Sequence, residues 1–428
     1  MANTSASVEQ QRIHGWIDSH VDHVVGFLQR LVRTPSVTGE EKSAQELVAG
    51  HLRGLGLRVD VWEPDLAELR KHPDSIPVET GYANRPNVVG VWEGEGGGRS
   101  ILFNGHVDVV PPGPERLWSH DPWSGTIEGA RIYGRGTSDM KGGLAAMLCA
   151  VEAVKAAGAR LRGHVIVESV VDEEAGGNGT LAAVLRGYTA DAIIVPEPTR
   201  LGVSPAHRGA QFFRVRVWGK GAHAGLRFEG VSALEKAQRL IGAIGELEAE
   251  RNRSARENKL YNSYPIAAPI TIGKMTGGVW PAMVPEMCEF EGMIDIMPGE
   301  RISDVREQFS HCIEQAATAD PWLQEHRPEV EWIGVSMSGI QTDIDHPFAY
   351  LIRNVCAQVT GRDPVVVGFP AGSDLRLLVG SRGTPGVHLG PGDIRLAHGF
   401  DEYVRVDEVL AAAKIFASTI LNWCGVVE

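Results

Sequence analysis

Seven acidic and imidazole side chains, set in five short motifs, carry the chemistry available to this chain. They are His106 and Asp108 in NGHVDVV, Asp139 in GRGTSDMKGG, the adjacent Glu173 and Glu174 in VVDEEAGG, Glu197 in IIVPEPT, and His398 in RLAHGFDE. Most of these motifs follow or close an apolar run, so their polar groups fall where strands should end. That is where α/β enzymes build active sites. Two histidines and several carboxylates converging on one cleft suit borderline divalent metals better than calcium or copper. The pattern points to metal-assisted hydrolysis.

His106 and Asp108 lie two apart, so on a strand both side chains leave the same face. His106 can then ligate a metal while Asp108 supports the site from behind, fixing ring orientation and tuning basicity. Asp139 stands at a polar break before an apolar helix, where aspartate also serves as a cap. Glu173 and Glu174 put two negative charges together at the end of an apolar strand, which is unfavourable unless a cation or a shared proton offsets them. If one binds metal, its neighbour is free to act as a base. Glu197 repeats this logic at the end of the next apolar strand, and His398 sits in a loop after GPGD.

Composition sets the outer bounds. A chain of 428 residues with 43% apolar and 22% charged residues is expected to form two ordinary globular domains. The net charge of -13 argues against nucleic-acid or anionic-membrane partners, both of which demand a basic face. Cys149, Cys288, Cys312, Cys356 and Cys424 form no C-x-x-C pair, which reads as buried apolar thiols in a reducing cytosol. The polar start MANTSASVEQQ has no apolar core of a signal peptide, and no run of about 18 apolar residues occurs. A soluble cytoplasmic protein is expected.

Elements must then position the motifs. Helical spacing runs from about Ile13 to Thr34, where Pro35 stops it, and again from Glu41 to Gly54. LRVDVW alternates as a strand, and NVVGVWEG and SILFNGHVDVV flank the glycine-rich turn Gly94 to Gly98, which reads as a hairpin. That turn lacks both G-x-G-x-x-G spacing and the Lys of a phosphate loop. GGLAAMLCAVEAVKAAG is a small-residue helix suited to close packing on a sheet, and HVIVESVVDEE and ADAIIVPE are near-continuous apolar strands covered on both faces. This alternation makes an α/β sheet over Leu57 to Glu197. From about Arg208 the texture changes to alternating strands and long amphipathic helices, an α+β unit inserted into the first. From about Ser336 the chain returns, with VVVGF and VHLG as strands and a last helix from Val406. The expected domains are 1–207 with 336–428, and 208–335.

The order and wording of the motifs resemble the dinuclear zinc amidohydrolases that include acetylornithine deacetylase, succinyl-diaminopimelate desuccinylase, aminoacylase and glutamate carboxypeptidases, over nearly the full length. The resemblance implies an α/β, mixed-sheet, zinc-aminopeptidase-like catalytic domain with a smaller inserted α+β dimerisation or lid domain. It implies two divalent ions, Zn2+ foremost with Co2+ or Mn2+ as alternatives. His106 and Glu197 would hold one, Glu174 and His398 the other, and Asp139 would bridge them. Glu173 would be the general base for a hydroxide held between the metals, and Asp108 the supporting carboxylate. His223, in the GKGAHAG loop, would reach the active site of a partner subunit, so a homodimer is expected. Arg208 in HRGA and Arg376 in GSDLRLL resemble positions near the substrate cleft, where a guanidinium can hold a carboxylate bidentately.

Two departures concern substrate. Relatives that grip an amino-acid carboxylate often show an asparagine opening N-V-x-P and an arginine just ahead of P-G-E. Here Ala282 and Asp295 stand at those positions. The implied activity is amide hydrolysis of a small N-acylated amino acid or related compound, with a dipeptidase or carboxypeptidase and an N-carbamoyl amino-acid amidohydrolase as alternatives on the same metal core. A catalytically silent binding relative is the reading from outside the enzyme class, but every expected position is filled. Neither G-x-S-x-G nor H-E-x-x-H occurs.

Overall fold

The apolar runs at Asn87–Trp92, Ile101–His106, Val165–Val170 and Ile193–Val195 form strands that are buried almost throughout. In this computed structural model, which describes residues 2–78, 81–380 and 383–427, they join Arg58–Trp62 and Gly386–His388 in a six-stranded sheet. Ile101–His106 runs parallel to both Val165–Val170 and Ile193–Val195, and Gly386–His388 runs parallel to the latter. Asn87–Trp92 is antiparallel to both its neighbours. The sheet is therefore mixed, and the carboxyl ends of its parallel strands share one edge, the side on which open α/β sheets bind ligands.

The sheet belongs to the first of two units, Met1–Ala206 with Thr342–Phe369 and Ser373–Glu428. Its core packs the small-residue helix Gly142–Ala156 and the last helix Val406–Cys424 around Phe103, Leu144, Ile194 and Phe416. The second unit, His207–Gln341 with Pro370–Gly372, has a four-stranded antiparallel sheet. Strand Gly209–Trp218 alternates there between buried and half-buried residues, as a sheet with one packed face requires. The helices Ala233–Ala255 and Ile302–Thr318 cover that face through Leu240, Ile244, Phe309 and Ile313.

Several elements differ from the sequence reading. The first helical stretch is two helices, Ala2–Ser19 and Val21–Val32, and VVVGF forms only single bridges, Val366 pairing with Val203 and Phe369 N donating to the Ala206 carbonyl. The Gly94–Gly98 turn is not a hairpin, because Val165–Val170 lies between the two strands it connects. Glycine is needed there for close approach: a Cβ on Gly98 would stand 2.1 Å from the carbonyl oxygen of Cys424. The cysteines are free, four of them buried, while Cys312 is partly exposed and donates to the Ala243 carbonyl at 3.4 Å.

Glu168 lies in the middle of a buried strand. Asn104 Nδ2 donates to its Oε2 at 2.8 Å, and its Oε1 has no hydrogen-bond partner among the described residues. Burial pushes its carboxyl up to about 8, with the Asn104 bond opposing and the Asp374 charge adding. The folded chain thus keeps a proton that the unfolded chain releases near the usual glutamate value, so this group's contribution to stability declines as pH rises between the two. Glu168→Gln is expected to gain stability relative to the parent as pH rises from about 5 to 8 and to level off above that range. Thermal melts of both proteins across this range check it; a constant difference in Tm would contradict an ionising Glu168.

Candidate metal centre

Four of the five motifs reach the centre from strand ends or a helix start. His106 is the last residue of Ile101–His106, Glu173 and Glu174 follow Val165–Val170, and Glu197 follows Ile193–Val195. Asp139 lies in the turn Thr137–Lys141 that opens into Gly142–Ala156, so the positive end of that helix faces a carboxylate. Gly143 lets this turn approach the Glu197 strand, since a Cβ there would stand 2.1 Å from the Pro196 carbonyl oxygen. His398 arrives on a loop in left-handed backbone geometry, φ 61°, and its side chain is 55% exposed. His106, Asp108, Asp139 and Glu197 are buried.

One ligand atom from each of His106, Asp139 and Glu174 falls within 4.8 Å of the others. His106 Nδ1 lies 2.8 Å from the carbonyl oxygen of Asp108, which can only accept, so Nδ1 carries a proton and Nε2 is the ring nitrogen turned to the carboxylates. That Nε2 is 3.2 Å from Asp139 Oδ1 and 3.9 Å from Glu173 Oε2. On the other side, His398 Nε2 is 3.0 Å from Glu174 Oε2 and 3.5 Å from Asp139 Oδ2. The two oxygens of Asp139 thus face two different histidines. Glu197 is close enough for its charge to act on His106, and for those of Asp139 and Glu174 to act on it.

The electrostatics are those of a site built around cations. Burial pushes Glu173 and Glu197 well above the usual carboxylate range; His106 opposes this, while neighbouring carboxylates reinforce it. Burial alone would lower His106, but the hydrogen bond to Asp139 and the charges of Glu173, Asp108 and Glu197 raise it well above an ordinary histidine. Hydrogen bonds to Asp139 and Glu174 push His398 up to about 10. Burying this many like charges costs stability unless a cation offsets them. Imidazole nitrogens and carboxylate oxygens suit Zn2+, Co2+ or Mn2+. His106, Asp139, Glu174, Glu197 and His398 could hold such ions, and Glu173 remains beside them with no cationic partner closer than His106 among the described residues.

Asp108 supports the centre differently from the strand geometry expected of it. The strand ends at His106, so the two-residue period does not carry on to Asp108. Its backbone carbonyl takes the hydrogen bond of the His106 ring, and its carboxylate Oδ1 lies 3.7 Å from the same nitrogen. The carboxylate accepts the backbone N–H of Glu173 and of Glu174, each at 3.2 Å, and the Thr38 hydroxyl at 2.9 Å. Sequence reasoning missed the residues that brace the same turn from the other side. Asp172, at φ 70°, is held by Arg85 Nη2 at 2.8 Å and by the Tyr82 hydroxyl at 2.7 Å, and Arg85 also binds Glu41. No spacing ties Arg85 or Tyr82 to this turn, because the connection exists only through the fold.

The three remaining residues have their hydrogen-bond and ion-pair partners within their own units. Arg376, in the first unit, is buried and donates to the Gly176 carbonyl at 2.8 Å, so it braces the loop that follows Glu174. Arg208, in the second unit, is buried with its Nε 2.9 Å from Asp295 Oδ2, an ion pair without hydrogen-bond alignment, and Nη1 donates to the Ala267 carbonyl at 3.0 Å. Asp295, standing where the family resemblance led one to expect an arginine, therefore pairs with the arginine considered for substrate binding. His223, also in the second unit, is exposed and accepts the Gly225 N–H on Nδ1 at 3.1 Å, which leaves Nε2 to carry the proton outward. Its short strand pairs with Met283–Val284, and the carbonyl of Ala282 accepts from Ala224 N at 2.9 Å.

A mixed α/β sheet whose strand ends gather histidines and carboxylates defines a metal-dependent hydrolase. The chain belongs to peptidase family M20/M25/M40, whose model matches residues 102–422. It is 28% identical to N-formyl-4-amino-5-aminomethyl-2-methylpyrimidine deformylase of Bacillus subtilis over 435 residues, covering 96% of both chains. It is 29% identical to acetylornithine deacetylase of Myxococcus xanthus over 361 residues, covering 84% of this chain and 88% of that one. Among solved structures, an aminopeptidase from Bacillus cereus matches with a TM-score of 0.72 at 22% identity, covering 94% of this chain and 98% of that one, a likeness of fold.

Proposed function

We propose that this chain hydrolyses the amide bond of a small N-acylated amine or amino acid, using two divalent ions held by His106, Asp139, Glu174, Glu197 and His398. The observation that carries this reading is Asp139, whose two oxygens face His106 and His398 with Glu173 alongside. Bound there, the ions would polarise the scissile carbonyl and acidify the attacking water. Glu173 takes the proton from that water and delivers it to the departing nitrogen, so a neutral amine and a carboxylic acid leave. Asp108 holds the backbone of Glu173 and Glu174 so that base and ligand keep their spacing.

The acyl group we favour is small, formyl or acetyl, as in the names of the relatives. Phe400, 46% exposed and two residues beyond His398, sits edge-on to Trp118 and offers an apolar wall for a planar or apolar amine. The Arg208–Asp295 pair speaks against a carboxylate clamp at Arg208. Release of amine should be assayed from N-formyl, N-acetyl, N-succinyl and N-carbamoyl compounds and from dipeptides, with zinc, cobalt or manganese added. Turnover of N-formyl or N-acetyl amides above the rest is expected. Preference for dipeptides would replace this reading with a peptidase, and no turnover of any amide by metal-loaded protein would end it.

We further infer a homodimer working in a reducing cytosol. Free cysteines fit that compartment. The second unit exposes Leu226, Phe228, Val279, Trp280 and Met283 near His223, an apolar surface of the kind that protein interfaces cover. If His223 serves the partner's centre, mixing Glu173→Gln and His223→Ala subunits should restore about a quarter of the parent rate, because half of the dimers are mixed and each has one complete site. No recovery on mixing, with exchange shown by mass, would place His223 outside the partner's site.

A further inference from the structure

Glu402 is a buried carboxylate outside the proposed ligand set, four residues beyond His398, and both its oxygens are fully engaged by another loop. Arg135 Nη1 and Gly136 N donate to Oε2 at 2.7 and 3.0 Å. Ser138 N and Asp139 N donate to Oε1 at 2.9 and 3.1 Å. The Glu402 carbonyl also accepts from Gly134 N at 2.9 Å. One side chain therefore gathers three backbone amides and one guanidinium of the turn that presents Asp139. A second tie joins the same two stretches of chain: Ser138 Oγ donates to the Asp393 carbonyl at 3.1 Å, and Asp393 N donates to Ser138 Oγ at 2.9 Å. Gly392 is required where they meet, since a Cβ there would stand 2.5 Å from Ser138 Oγ.

Without Glu402, three amide N–H groups and an arginine would be left buried near a site already crowded with charge. The turn would have to move to find water, carrying Asp139 with it. His398 is reached from the same anchor through only three residues, and its loop holds non-glycine residues in left-handed geometry at His398 and Asp401, φ 61° and 53°. Such backbone persists only where surrounding contacts determine it. On the proposed assignment of Asp139 and His398 as ligands, we infer that Glu402 is a positioning residue for metal binding, fixing the Asp139 turn against the His398 loop so that the ion between these two residues binds tightly. The ion nearer His106 and Glu197 shares only one displaced ligand, so it should suffer less.

The test measures binding of Co2+ by metal-free protein, resolving the two ions by titration calorimetry and by the visible spectrum, for the parent, Glu402→Gln, Glu402→Asp and Ser138→Ala. Glu402→Asp keeps the charge beside Arg135 while withdrawing the oxygens, so it serves if the glutamine variant does not fold. Expected is a split titration in which one ion binds as in the parent and the other about 10- to 100-fold more weakly, the range for removing a partner that orients ligands. The parent rate should largely return at excess Co2+. Two ions bound with parent affinities by a folded Glu402 variant would overturn the role of Glu402, as would equal weakening of both. A parent chain that binds fewer than two ions would instead overturn the metal assignment itself.

Discussion

Glu173→Gln is expected to lower turnover by about two to four orders of magnitude while leaving the metal content of the protein unchanged. Glutamine matches glutamate in shape, and Glu173 is the carboxylate of the cluster left without a ligand role. Its backbone N–H stays on Asp108 Oδ1 at 3.2 Å, so neither the turn nor Glu174 is disturbed. What is lost, on the proposed role, is the group that accepts a proton from water and passes it to the leaving nitrogen. Steady-state rates beside metal analysis of the same sample check this. A rate within threefold of the parent would remove Glu173 from the chemistry, and a loss of metal would make it a ligand.

Asp139→Ala is expected to have the opposite signature, losing metal and activity together. Asp139 is the one carboxylate with an oxygen toward each histidine, at 3.2 Å to His106 and 3.5 Å to His398. Burial raises its carboxyl, but hydrogen bonds from both histidines win and hold it below the usual range. Deleting it removes a donor from both proposed ions, so affinity should fall by more than the roughly 100-fold upper range for supporting residues. Dialysed protein should then retain less than one ion per chain. A variant that still held both ions would show that Asp139 bridges nothing.

Much of this centre was legible in the chain because α/β sheets place chemistry at strand ends, and strand ends are visible as apolar runs closing on polar residues. His106, Glu173, Glu174 and Glu197 follow from that rule alone. The α/β fold with an inserted α+β unit was legible for a related reason: near-continuous apolar strands in the first unit give way to alternating ones in the second, while the mixed sheet was implied by the family resemblance. Strand neighbours were not legible. NVVGVWEG and SILFNGHVDVV looked paired across their glycine turn, yet Val165–Val170 separates them, because pairing depends on where a distant segment inserts.

The supporting groups were harder still. Asp108 was expected to support His106, and the fold adds a second task that the spacing did not show, since its carboxylate also braces Glu173 and Glu174. Arg85, Tyr82 and Glu402 were not read as part of the site, because a buried charge reveals itself only when the fold brings its partner from far along the chain. Arg208 and Asp295 were noticed separately and turn out to face each other, which changes what either could do for a substrate.

Two ions and the groups around Asp139 are proposed to hydrolyse an amide together. Metal-free protein should be titrated with Co2+ while bound metal and turnover of an N-formyl amine are followed in the same samples. Turnover is expected to be negligible without metal, to rise with added ion, and to reach its plateau as binding saturates at two ions per chain. Full turnover in the presence of chelator, or saturation with two ions bound and no amide cleaved, would exclude a two-metal amidohydrolase.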